Sequence, residues 1–234
     1  SSWPNPHVGN QWKHVNTGTN HTLRACAQAG KPWVVVGDNG TILTADKPDG
    51  PWTTRQSDTT KNLHAVANNG YNRWVVAGDD NTLLTSSDAV SWTRAAVPQR
   101  FFGGFARENC LPSVQLTWNK SQRRFFLFGE YNVLSSADGA DWSLEQVVFG
   151  HGGPTVAGNG SQLLAFMNHK SYDRHALDFS HDFGKTRTSL FTTNIPYKPT
   201  YESGLFCLEQ ARCFYLLRRD PKTGNSELWQ SGFV

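Results

Sequence analysis

Arginine, carboxylate and aromatic side chains crowd into three stretches of this chain. One is PQRFFGGFARENCLPS, Pro98 to Ser113, which carries Arg100, Phe101, Phe102, Phe105, Arg107 and Glu108. The second is NHKSYDRH, Asn168 to His175, with His169, Tyr172, Asp173 and Arg174. The third is NIPYKPTYESG, Asn194 to Gly204, with Tyr197, Lys198, Tyr201 and Glu202. Rings beside Arg and carboxylates suit a sugar, whose apolar face stacks on Phe or Tyr while charged forks take its hydroxyls. A glycan is therefore the first expected ligand, and a protein or peptide the second. The alternative for Phe101, Phe102 and Phe105 is that they fold their long loop back on itself as a small core of its own.

A second set recurs by position. Asp38, Asp79 and Glu130 each follow a glycine, Gly37, Gly78 and Gly129. Two readings stand for them: convergence on a shared polar or cation site, or the capping of tight turns. His169 and His175 are the two histidines nearest to metal-ligand spacing, and flanking a turn explains them as well, so no metal and no cofactor is expected. Among four cysteines, Cys207 and Cys213 bracket LEQAR at the end of an expected hairpin, where they would stand opposite one another near disulfide distance. Cys26 aligns with Val66 and reads as a small buried side chain. The net charge of +3 is too small to argue for nucleic acid. No apolar run has the roughly 18 residues a bilayer span requires, so membrane insertion is not expected. The chain begins at Ser1 and its one methionine is Met167, which fits removal of an export signal and predicts a secreted, periplasmic or cell-surface location.

The elements that must position these groups are written as a repeat. GDNGTILTADKPDGPWTTRQ, Gly37 to Gln56, is echoed by GDDNTLLTSSDAVSWTRAAV, Gly78 to Val97. Trp12, Trp52, Trp92 and Trp142 stand 40, 40 and 50 residues apart, each opening a similar segment. Within one unit LHAVANN alternates apolar and polar, RWVVAGDD is nearly continuous in apolar residues, NTLLTSSD follows a tight turn and WTRAAV closes the set. That is four short strands per unit, with Gly, Asn and Asp at each break. Repeats of about 40 to 50 residues made of short strands predict a ring of sheets. The boundaries are 22–56, 62–97, 113–148, 154–193 and 203–231. The last unit has three strands, and an N-terminal strand over 11–16 is expected to complete it and remove an open edge.

Between third and fourth strands stand SSDAVSW (Ser86, Asp88, Trp92), SADGADW (Ser136, Asp138, Trp142), SHDFGKT (Ser180, Asp182, Thr186) and the looser TADKPDGPW (Thr44, Asp46, Trp52). These resemble the Asp-box, or bacterial neuraminidase repeat, of sialidases, sortilin-type receptors and photosystem II assembly factors. The resemblance implies a five-bladed all-β propeller forming a single domain, with Asp46, Asp88, Asp138 and Asp182 as structural turn-pinning residues on the face opposite the ligand. Resemblance to sialidases would also imply a Tyr and Glu pair in catalysis, for which Tyr201 and Glu202 are the candidates; the arginine motif of a sialidase first blade is missing from Leu23 to Gly37. The resulting expectation is an exported, non-catalytic recognition module that binds a glycan through Arg100, Phe101, Phe102, Phe105, Arg107, Tyr172, Arg174, Tyr197, Tyr201 and Glu202. A protein-binding assembly scaffold is the alternative, and a glycoside hydrolase the third reading.

Overall fold

The computed structural model describes residues 14–98, 114–129, 132–145, 156–159, 162–168, 175–182, 185–186, 188–190, 204–208, 213–219 and 226–230. The described secondary structure is antiparallel β-sheet, apart from one short helical turn at Asp79–Asn81. The first sheet holds β1 (Leu23–Gln28), β2 (Trp33–Gly37), β3 (Ile42–Ala45) and β4 (Thr53–Arg55), in that order. The second holds β5 (Leu63–Asn68), β6 (Trp74–Gly78), β7 (Thr82–Ser86) and β8 (Thr93–Arg94), and the third β9 (Gln115–Asn119), β10 (Arg124–Phe128), β11 (Val133–Ser136) and β12 (Ser143–Glu145). Further along lie β13 (Val156–Asn159), β14 (Gln162–Asn168), β15 (His175–Ser180) and β16 (Thr188–Leu190), then a three-stranded sheet of β17 (Gly204–Leu208), β18 (Cys213–Arg219) and β19 (Ser226–Gln230). Each strand expected within the five units is present, the fourth strands being the most shortened. Of the expected closing segment, residues 14–16 form no strand, and Trp12 lies outside the described residues.

Sequence chemistry explains the tight turns. Asn39 and Gly40 have φ of 54° and 67°, and the Thr41 N–H bonds the Asp38 carbonyl at 3.1 Å. Two successive positive φ values make the turn whose twist matches the flanking strands, which is why Asn and Gly occupy it. Asp80 and Asn81, at 53° and 57°, repeat that geometry in the second sheet.

The sheets stack with one polarity. Ala25, Ala27, Val34, Val36 and Ile42 of the first sheet pack against Leu63, Val66, Trp74, Val76, Leu84 and Trp92 of the second. The other side of the second sheet, Ala65, Ala67, Val75, Ala77 and Leu83, meets Phe125, Leu127, Leu134 and Trp142 of the third. Small residues on one side thus receive the large rings of the next sheet, the interdigitation that dense cores require. First strands lie together, β1 against β5, β5 against β9 and β13 against β17.

Two cysteine expectations change. Cys26 is exposed and unbridged, not buried. Val66 at the matching register is covered because a sheet packs over it, whereas Arg24, Cys26 and Gln28 are all exposed along β1. Cys207 pairs in register with Phe214, and Cys213 with Leu208. The two cysteines are therefore offset by one residue in register instead of opposite one another.

Candidate functional site

Most of the sequence-derived ligand residues lie outside the described residues: Arg100, Phe101, Phe102, Phe105, Arg107, Tyr172, Arg174, Tyr197, Tyr201 and Glu202, together with Glu130. What the structure does assemble is a charged rim at the junction of the first two sheets and a second set of turns at the opposite strand ends.

The rim arises from a paired irregularity. Register shifts between Leu23 and Ala25, and between Leu63 and Ala65, leave Arg24 and His64 as extra residues in β1 and β5. Such bulges bend a strand and re-aim a side chain. Here Arg24 meets the Asp38 carboxylate through both Nε and Nη2, and His64 Nε2 lies 2.7 Å from Asp79 Oδ1. The Arg24 guanidinium holds the Asp38 carboxyl below the usual carboxylate range, and the charges of His64 and His21 reinforce it. Lys61 pairs with Asp80 alongside. Asp38 and Asp79 are thus engaged by bases of their own sheets, which corrects the choice between a convergent cation site and side-chain turn caps. It is the Asp38 backbone carbonyl that closes the turn, accepting from Thr41 N and Thr41 Oγ1. Among the described residues no cluster of His, Cys, Asp and Glu could hold a metal.

The connector between sheets is fastened to this rim. Gly40 N donates to Lys61 O at 2.9 Å, Asn39 N to Asn62 Oδ1 at 3.1 Å, and Asp79 N to Asn62 O at 2.9 Å. A groove of about 810 Å³ runs past this seam, lined by His21, Thr41, Arg55, Ser57 and Thr59 among others.

At the other strand ends the Ser-x-Asp turns are wired alike. Asp88 Oδ1 accepts from Val90 N and Ser91 N at 2.8 Å each and from Ser86 Oγ at 2.9 Å, while Ser86 Oγ accepts from Ala89 N. Asp138 repeats this with Ala140 N, Asp141 N and Ser136 Oγ. Asp182 accepts from Thr186 N, Thr186 Oγ1 and Ser180 Oγ. Trp92 Nε1 donates to Ala89 O at 3.2 Å and Trp142 Nε1 to Gly139 O at 3.0 Å, so each ring ties its turn to the buried joint. Backbone donation from Ser91 and Val90 holds the Asp88 carboxyl down at about 2.

Asp46 departs from this plan. It is exposed, and no hydrogen bond joins it to Thr44 or to the turn among the described residues. In the Asp88 and Asp138 turns the second residue after Asp supplies an N–H, but here that residue is Pro48, which has none. Gly50 N closes a different turn on Lys47 O, and Thr44 Oγ1 instead accepts from Arg55 Nε at 2.8 Å. Two additional residues between Asp46 and Trp52 shift the ring, whose buried Nε1 finds no acceptor among the described residues. Asp46 is accordingly not a turn-pinning residue.

This contrast gives a direct measurement. Asp88→Ala is expected to cost about 1–2 kcal/mol in urea unfolding, the scale of losing a side-chain acceptor that pins backbone donors, whereas Asp46→Ala should be neutral within about 0.5 kcal/mol. The sign with pH follows from the lowered carboxyl. The stabilisation from Asp88 is complete above its ordinary value of 3.8 and is lost as pH falls toward about 2, so the Asp88→Ala deficit should shrink over that window. Equal costs for the two variants would contradict the wiring.

A scan against protein families and a comparison with curated proteins both return no match. Solved structures do match. YCF48 bound to D1 peptide superposes with a TM-score of 0.65 at 14% identity over 94% of this chain and 70% of its own. YCF48 from Cyanidioschyzon merolae gives 0.61 at 14% identity over 89% and 67%. A catalytically inactive virginiamycin B lyase from Staphylococcus aureus, solved with quinupristin, gives 0.58 at 9% identity over 92% and 64%. The fold is a β-propeller. At these identities the likeness concerns fold alone, and it agrees with sheets whose first strands sit side by side. In propeller terms β1, β5 and β9 are inner strands, and the bulged Arg24 and His64 stand at inner-strand ends.

Proposed function

We propose that the chain is a propeller recognition module for a protein or peptide partner. The observation that carries this reading is the form of the described cavities: both are grooves at sheet ends, one lined mainly by hydroxyl and amide side chains and the other by charged, hydroxyl and apolar ones, which suits an extended segment better than an enclosed small molecule. The superposition on a propeller holding a bound peptide supports the same class of partner. We further read the wired Ser-x-Asp turns as Asp-boxes, the ring as five blades, and the chain as exported.

Glycan binding is the second reading, favoured by the aromatic and arginine content of 98–113 and 194–204. The test is a side-by-side selection of the full chain against displayed random peptides and a glycan array. Peptide enrichment with an empty array is the expected result. Array binding lost on Tyr201→Ala, without peptide enrichment, would establish the glycan reading, and turnover of aryl glycosides abolished by Glu202→Gln would establish a hydrolase.

A further inference from the structure

A groove lies beside the irregular first turn. Between the Asp46 turn of the first sheet and the Asp88 turn of the second lies a cleft of about 480 Å³, lined by Lys31, Pro32, Asp46, Pro51, Arg55, Asp88 and Val90. That is within the about 300–1,000 Å³ of ordinary ligand clefts. At the next junction the third-sheet turn sits down tightly: a Cβ placed on Gly139 would press on Val75, Arg73 and Thr85 of the second sheet.

The groups around the cleft are underused. The Arg55 guanidinium makes one hydrogen bond, from Nε to Thr44 Oγ1, and neither Arg55 nor Lys31 has a carboxylate within ion-pair distance among the described residues. Asp88 is already satisfied by its own turn, while Asp46 is free at the edge. Pro32, Pro51 and the 44% exposed Val90 supply apolar surface between the charges. A purely structural turn has no need of cations without carboxylate partners.

We infer that this cleft, on the Ser-x-Asp face between the first two sheets, is a binding site for an extended peptide segment that brings a carboxylate side chain to Lys31 and Arg55 and sets neighbouring apolar side chains on Pro32, Pro51 and Val90. Prolines leave the wall stiff, which lowers the ordering cost of docking. A guanidinium fork takes a carboxylate in two parallel bonds and gives the site direction. Asp46 opposes the incoming charge and limits affinity. The inference rests on the peptide-recognition reading but assigns the site to the Ser-x-Asp strand ends, opposite the Arg24 and His64 rim.

The experiment uses the full chain and fluorescent copies of peptides enriched from a displayed random library, measured by anisotropy at low and high salt. Peptides with Asp or Glu beside apolar residues are expected. Their binding should weaken about tenfold or more in Lys31→Glu and in Val90→Asp, strengthen a few-fold in Asp46→Asn and weaken with salt, while the like-for-like control Arg94→Glu on β8 leaves it unchanged. Val90 and Lys31 are exposed, so both variants should keep the native circular dichroism, which is recorded alongside. Peptides that bind but ignore Lys31→Glu and Val90→Asp, or that lack acidic residues, overturn the cleft assignment and leave the recognition reading standing. Absence of any enriched peptide overturns both.

Discussion

Trp92→Ala is expected to destabilise the protein by about 3–5 kcal/mol, the cost of emptying a buried indole site. The ring is 7% exposed and stands in the joint between the first two sheets with Trp74, Leu84 and Ala89. It also holds its turn through the Nε1 bond to Ala89 O, so the substitution removes packing and a tether at once. Trp92→Phe should recover most of the packing and lose the tether, leaving a residual cost of about 1 kcal/mol. Urea unfolding of the three proteins checks both numbers. A loss below about 1.5 kcal/mol for Trp92→Ala would mean that the joint is not a shared core.

Gly40→Ala is the second large effect. Gly40 has a φ of 67°, where a Cβ costs about 1–2 kcal/mol, and that atom would overlap the carbonyl oxygen of Thr59 and crowd Ser57 Oγ. Forcing the connector aside adds about 1–3 kcal/mol of overpacking. The expected total is therefore about 2–5 kcal/mol. The accompanying sign is local: in the variant the N–H of residue 40, bonded to Lys61 O in the parent, should exchange its proton faster than before, while Ala77 N–H within β6 changes less. Gly70→Ala makes the control, because Gly70 also has positive φ but open space around its Cβ position, so it should show the backbone cost alone.

Much of this architecture could be read from residues. Alternation in LHAVANN, the Asn39–Gly40 turn and the tryptophan spacing lead to strands, turns and buried rings because each is decided by local chemistry. The bulges at Arg24 and His64 were not legible, since a register shift is a relation between two strands and leaves no mark within either. Their consequence, that Asp38 and Asp79 are already partnered, was hidden with them. Cys26 was misread because repeat alignment with Val66 assumes that every unit has the same neighbour. The offset of Cys207 and Cys213 is likewise a register fact. Asp46 is the instructive case: Pro48 stands in the sequence at the position where a donor N–H is required, and it alone could have shown that this turn is not pinned. The segments 99–113 and 191–203, expected from their Arg, Phe, Tyr and Glu residues to carry a ligand, lie outside the described residues.

The one-way stacking of small residues against large rings makes the units interchangeable at their seams. An additional copy of residues 62–97 spliced after Val97 would offer its tryptophan side to the alanine side ahead of it and its own alanine side to Phe125 and Trp142 behind. Growth by tandem duplication therefore requires no newly invented joint, only a connector of matching length.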